Sequence, residues 1–223
     1  MFFVNLGEPL RPVDRTVPGD PSSAAFFVAL AALADEGEVA LPDVCVNPTR
    51  TGFLHAMRRM GASVVEEGVR DEGGEPVATL RARPAQLRGT DVGPDEVPAM
   101  IDELPLLACV AARAAGDTTV SGAAELRVKE SDRIAATVAA LRAVGADADE
   151  RPDGFVVRGS SGPLRGRVVT HGDHRLAMAF GVLGALPGND IVVDDPDCVA
   201  VSYPNFWRDL AQLTGGAFAP HAV

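Results

Sequence analysis

Three stretches of this chain are apolar around almost the whole helical circumference, and each lies just behind an aspartate. They run over 24–34 behind Asp20, over 104–115 behind Asp102, and up to Ala185 behind Asp173. A helix with no polar face is a buried helix, and Asp is a helix-start residue. Between them lie helices of the other kind, with one apolar face. Leu54 and Met57 mark the first, ending at Gly61; Ile134, Val138 and Leu141 mark the second, ending at Gly145. Phe206, Leu210 and Leu213 mark the third, ending at Gly215-Gly216. Short β-branched runs predict strands over 39–41, 118–120, 155–157 and 191–193. A hairpin is predicted over 62–67 and 76–82, turning at the polar DEGGE run. Residues 1–17 read as extended, since Phe2, Phe3 and Val4 favour strand while Pro9 and Pro12 oppose a helix.

The order of these elements repeats. The helix-opening aspartates fall at 20, 102 and 173, and the helix-stopping glycines at 61, 145 and 215, so both landmarks advance by similar steps. Matching offsets predict a threefold internal repeat, with units at about 18–90, 91–165 and 166–218 of a single domain spanning 1–223. No unit can cover its apolar helix alone. Packing three about a common axis buries the helices inside and leaves sheets outside, an α/β class (α+β in some schemes).

Bulk properties narrow the partners. The chain has 223 residues, 47% of them hydrophobic, and a net charge of −11. That charge argues against nucleic acid, which selects basic surfaces. The apolar run over 24–34 is too short for a bilayer, which needs about 20 residues, and MFFVNLGEPLRPVDR carries no secretory pattern. Cys45, Cys109 and Cys198 are odd in number and lack a CxxC spacing, so they read as reduced thiols of a cytoplasmic protein.

The densest chemistry is Leu126-Arg127-Val128-Lys129-Glu130-Ser131-Asp132-Arg133, where six of eight residues are charged or hydroxylated at the start of a helix. Free backbone N–H groups and the helix dipole favour an anion there. The same string could be a solvated helix start with surface ion pairs of about 0.3–0.5 kcal/mol each. Its company changes the reading. VPGDPSSA (17–24), NPTRTG (47–52), GDHRLAM (172–178) and SYP (202–204) accompany it in order. Together these motifs resemble the enolpyruvyl transferase family, and within it EPSP synthase, over nearly the whole chain.

The resemblance implies a β/α prism whose buried helices aim their N-termini into a cleft, and a second such domain that this sequence lacks. This chain would be the C-terminal half, with the N-terminal domain as its partner. In the family, the first residues of the full-length chain also complete this domain, and those residues are expected to be absent here as well. The implied reaction joins shikimate 3-phosphate to phosphoenolpyruvate and releases phosphate, in the cytoplasm, with no metal or redox cofactor. Asp102 matches the family's base, although by position alone capping of the following helix is the stronger reading of an Asp there. Lys129 and Glu130 match residues that contact the reacting hydroxyl and handle the methylene proton. Arg133 and Arg175 match the pair that grips phosphoenolpyruvate. His174 would tune Glu130 or be structural, and Asp173 would orient its neighbours.

Two positions depart from the family pattern. Val201 stands where some members have lysine, and Glu125 where others place a neutral amide. NPTRTG reads as a turn and helix start; His55, His171 and His221 have no evident partner; Gly159-Ser160-Ser161-Gly162 reads as a linker or turn, with no GK[ST] behind it. Two alternatives stay open: a transferase acting on a UDP-linked amino sugar, and a non-catalytic half-domain.

Overall fold

The computed structural model describes residues 14–215. The predicted extended run over 1–17 lies mostly outside them, as do Gly216 and His221.

The first buried helix, α1 (Pro21–Leu33), begins where Asp20 accepts a hydrogen bond from the Ser23 N–H at 2.9 Å. Behind it come β1 (Val39–Cys45), α2 (Gly52–Arg59), β2 (Ser63–Glu72) and β3 (Glu75–Arg83), which pair antiparallel in the order β1-β3-β2. Both strand predictions here were short. Pro42 and Asp43 hid the continuation of β1, which passes them with a register shift and Asp43 at a φ of +57°. The hairpin turn contracts from DEGGE to Gly73-Gly74 alone, because two consecutive positive φ values need glycine there. The sheet is two-faced: Ala78, Leu80 and Ala82 point into the core while Arg81 and Arg83 reach Glu38 on the outside.

The second set adds a short strand in front. Strands β4 (Asp91–Val92), β5 (Asp117–Val120), β6 (Asp147–Arg151) and β7 (Gly154–Arg158) form a sheet ordered β4-β5-β7-β6. Helix α3 (Leu104–Ala111) precedes β5, and α4 (Arg133–Ala143) precedes β6. The third set pairs β8 (Arg165–Val168) with β9 (Asp190–Val193) in parallel, with α5 (His174–Gly184) between them and α6 (Phe206–Leu213) after. Helix α3 stops four residues short of the predicted end, since Ala112–Ala115 leave the helix for a tight turn. No helix among the described residues is long and apolar enough to cross a membrane.

Helices α1, α3 and α5 touch one another, and every residue of α3 is buried. The first strand of each set pairs in parallel with the strand after the buried helix: Gly19 with Val44, β4 with β5, and β8 with β9. All three buried helices therefore begin at the same end of the molecule. The third set closes with aromatic edge-to-face contacts, Phe206 lying 5.6 Å from Phe26 and 5.0 Å from Trp207. Of the residues predicted for α6, Leu213 is 47% exposed while Phe206 and Leu210 are fully buried.

Gly181 in α5 is fixed by this packing, because a Cβ on it would stand 2.5 Å from the Trp207 ring. In an open helix Gly→Ala stabilises by up to about 1 kcal/mol. Here Gly181→Ala should instead cost about 1–3 kcal/mol through overpacking, read as a lower urea midpoint. A stabilised variant would show that the α5–α6 contact is looser than described.

Candidate active site

Of the three helix-opening aspartates, two are spent on caps. Asp20 caps α1, and Asp173 accepts from the Arg175 N–H at 3.0 Å at the start of α5. Asp102 does not cap α3. It sits in a 3-10 turn (Ile101–Glu103), and Glu103 takes the N-cap position without a side-chain cap bond. Proline explains the difference. Pro is favoured at the first helical turn; Pro21 follows Asp20 directly, whereas Pro105 stands three residues beyond Asp102 and moves the helix start onward.

Freed from capping, the Asp102 carboxylate meets three cations. It lies 3.0 Å from Arg133 Nη1, 3.6 Å from Lys129 Nζ and 3.8 Å from Arg175 Nη2. Its side chain remains 37% exposed. Partial burial alone would raise its pKa, but the charges of Arg175, Lys129 and Arg133 outweigh that and hold it below the ordinary value.

Arg133 is the hub. Its guanidinium is 1% exposed, and Asp173, itself fully buried, receives its Nε at 2.8 Å and its Nη2 at 3.3 Å. Glu130 takes Nη2 at 2.6 Å, and Ser131 Oγ donates to Asp173 at 2.9 Å. Burial raises the cost of ionising Asp173, yet the Arg133 bonds and charge hold its pKa down. Asp132 caps α4 through the Ala135 N–H at 3.0 Å, which fixes the backbone that presents Arg133. Arg133 is therefore closed by protein carboxylates, and of its partners only Asp102 and Glu130 reach solvent.

Arg175 is less enclosed, at 17% exposure, with Nη1 3.4 Å from Glu103 Oε1. Glu103 is buried, and burial pushes its pKa up despite a hydrogen bond from Ser22 and the nearby Arg175. Sequence reasoning gave Glu103 no role; the signal was a carboxylate inside an otherwise apolar helix start. His174 lies between charges of both signs. Burial first, then Arg175, lower its pKa against the opposing pull of Asp173, so it is neutral near pH 7.

The structure thus brings Asp102, Lys129, Glu130, Arg133, His174 and Arg175 to one end of the domain. Asp20 joins through Arg50, which bonds Asp20 at 3.0 Å and Ser22 Oγ at 3.3 Å. Arg127 does not converge with the other cations. It bonds Pro152 O, Arg151 O, Asp132 and Glu150 at 2.7–2.9 Å, pinning the loop to the β6–β7 turn. Glu125 pairs with Lys129 at 3.5 Å, and Val201 is 80% exposed at the end of a 3-10 turn. NPTRTG is the turn the sequence indicated, Asn47 Oδ1 accepting from the Thr49 N–H at 3.0 Å. His55 lies 3.3 Å from Thr51, His171 adopts a φ of +55°, and Gly159–Gly162 links β7 to β8.

Carboxylates of different burial should behave differently on neutralisation. Asp173→Asn breaks a fully buried pair and should cost about 3–5 kcal/mol. Asp102→Asn should cost less than about 1 kcal/mol, because Arg133 keeps Asp173 and Glu130 and the site is open to solvent. Both folded-state pKa values are depressed, so their contribution is present above the ordinary carboxylate pKa and lost as pH falls through the depressed one. Urea unfolding at neutral and acid pH measures this; equal losses for the two variants would contradict the assignment.

Known proteins share the sequence and the fold described above. Residues 2–210 match the family model for EPSP synthase (3-phosphoshikimate 1-carboxyvinyltransferase). The 3-phosphoshikimate 1-carboxyvinyltransferase of Sulfurihydrogenibium sp. (strain YO3AOP1) is 44% identical, over 95% of this chain and 49% of the relative. That of Aquifex aeolicus (strain VF5) is 46% identical, over 93% and 48%. The structure of EPSP synthase from Acinetobacter baumannii superposes with a TM-score of 0.84 at 40% identity, covering 90% of this chain and 46% of that one. The chain spans about half the length of the curated relatives it matches. On sequence, fold and motif order, this chain belongs to the EPSP synthase family.

Proposed function

We propose that this chain is the C-terminal half of a cytoplasmic 3-phosphoshikimate 1-carboxyvinyltransferase: one prism domain over 1–223, built of units at about 18–90, 91–165 and 166–218. Its partner is an N-terminal domain, as relatives of twice the length support. The reaction transfers the enolpyruvyl group of phosphoenolpyruvate to a hydroxyl of shikimate 3-phosphate. The hydroxyl oxygen bonds to the enol carbon while the neighbouring methylene takes a proton. The hydroxyl proton passes to a base, the methylene becomes a methyl group, and the tetrahedral adduct then loses a methyl proton and phosphate, restoring the double bond.

The observation that carries the reading is Asp102, a carboxylate freed from capping and held among three cations. Without a bound anion these cations make it a weak base. A bound polyanion takes up their charge, which raises the pKa of Asp102 toward that of a useful proton acceptor. Lys129 and Arg175, the more open cations, meet the substrates first. Glu130 is exposed and can leave Arg133, so that a phosphate or carboxylate oxygen takes its place on the guanidinium fork. Glu130 is then free to handle the methylene proton, beside a neutral His174.

Half a cleft neither holds two substrates together nor excludes water, contributions worth roughly 7–11 kcal/mol for positioning alone. The purified chain should release no phosphate from the two substrates, and activity should appear when a separately expressed N-terminal half is added. Turnover by the chain alone, or none from the mixture, would contradict the proposal. In the mixture, Asp102→Asn should lower kcat about 10²–10⁴-fold. Arg175→Ala should weaken phosphoenolpyruvate more than shikimate 3-phosphate; an equal loss of both would overturn its role.

A further inference from the structure

Among the described residues, Glu103 is a buried carboxylate at this end of the domain that, unlike Asp173, neither caps a helix nor pairs with Arg133, and the proposed chemistry leaves it unused. It is 6% exposed, and it stands where α1, the loop before α2, the 3-10 turn and α5 meet. Each of those elements presents one polar group to it. Ser22, at the start of α1, faces its carboxylate and favours its charged form. Arg50, before α2, donates to Ser22 Oγ at 3.3 Å and adds its charge. Arg175, from α5, places Nη1 3.4 Å from Glu103 Oε1 and 3.5 Å from the Asp102 carbonyl. Asp102, adjacent in sequence, supplies the opposing negative charge.

A buried carboxylate that only filled space would be replaced by an apolar residue at no loss, since burying a charge costs several kcal/mol. This one sits behind Arg175 on the side away from solvent. A guanidinium tethered at one edge presents its other edge in a fixed direction. Arg175 Nη2 is then directed toward Asp102 Oδ2, 3.8 Å away, on the open side of the site.

We infer that Glu103 is a positioning residue: it fixes the Arg175 guanidinium from behind and ties it, through Ser22 and Arg50, to the start of α1. The functional consequence rests on the reading of Arg175 as a phosphoenolpyruvate contact. Glu103 itself touches no substrate. Its tether orients the fork before the anion arrives, so losing it affects affinity for the ligand of Arg175 and leaves the acid–base groups intact.

Two measurements test this separately. In the full chain with ¹⁵N-labelled arginine, the Arg175 guanidinium signals should be those of a restrained side chain. Glu103→Gln, nearly the same shape, should release them to fast averaging while the circular dichroism spectrum is retained. Ser22→Ala, which loosens Glu103 from its other side, should release them in part and guards against a misfolded first variant. Unchanged Arg175 signals in both variants overturn the inference.

In the enzyme assembled with an N-terminal half, Glu103→Gln should raise KM for phosphoenolpyruvate roughly 10-fold, less than the ~10²-fold a 1 Å misplacement can cost. KM for shikimate 3-phosphate and kcat should stay within about 2-fold. In an Arg175→Ala background the Glu103→Gln change should add nothing further. A Glu103 effect that persists there overturns the positioning role. If Arg175→Ala alone leaves phosphoenolpyruvate affinity intact, the reading of Arg175 fails, and the guanidinium signals still decide the tether.

Discussion

A guanidinium almost sealed from water must be balanced on every side, and Arg133 imposes that constraint on the whole end of this domain. Removing a charge from water costs several kcal/mol even after relaxation. Arg133 recovers it from Asp173 at 2.8 Å, Glu130 at 2.6 Å and Asp102 at 3.0 Å. Those partners come from the start of α5, the loop before α4 and the turn before α3. One side chain thereby locks together the starts of two buried helices and the amphipathic α4. Asp173 is committed wholly to this task and to capping α5. Asp102 and Glu130 are shared between the buried cation and solvent, which leaves them accessible.

The three buried helices make such a cluster possible. Their N-termini lie at one end and carry partial positive charge, so that end attracts carboxylates and, beyond them, anions. The repeat is inexact in one useful respect. Asp20 and Asp173 neutralise their helix starts directly, whereas the later proline in α3 leaves Asp102 ahead of the helix. Glu103 occupies the cap position instead and turns inward to Arg175. A shift of one residue in one helix start converts a structural aspartate into a partly exposed one ringed by cations.

Most of this architecture is legible in the sequence, because strong signals coincide. The all-apolar helices, their aspartates and the stop glycines, such as Gly61 at a φ of +102° and Gly145 at +89°, each point to the same elements. What was missed has physical reasons. Strand β4 is two residues long, too short for any alternation, and its pairing is decided by β5. Strand β6, Asp-Ala-Asp-Glu-Arg, is an edge strand that buries only Ala148, and β8 buries only Val168. The motif resemblance singled out residues that the structure gathers at one end, but not how each is bonded there. It could not show that Arg127 pins a loop, that Arg133 is enclosed, or that Glu103 backs Arg175; those depend on contacts 23–72 residues apart in sequence.

The central claim is that Asp102 is a carboxylate whose basicity is set by the cations around it and released when an anion occupies them. A carboxyl ¹³C titration of Asp102 in the full chain, without and with saturating phosphoenolpyruvate, tests it most directly. The account predicts a pKa below the ordinary 3.8 in the empty protein and a clear rise when the ligand is bound. A pKa at the ordinary value, or one that the ligand leaves unmoved, would contradict it.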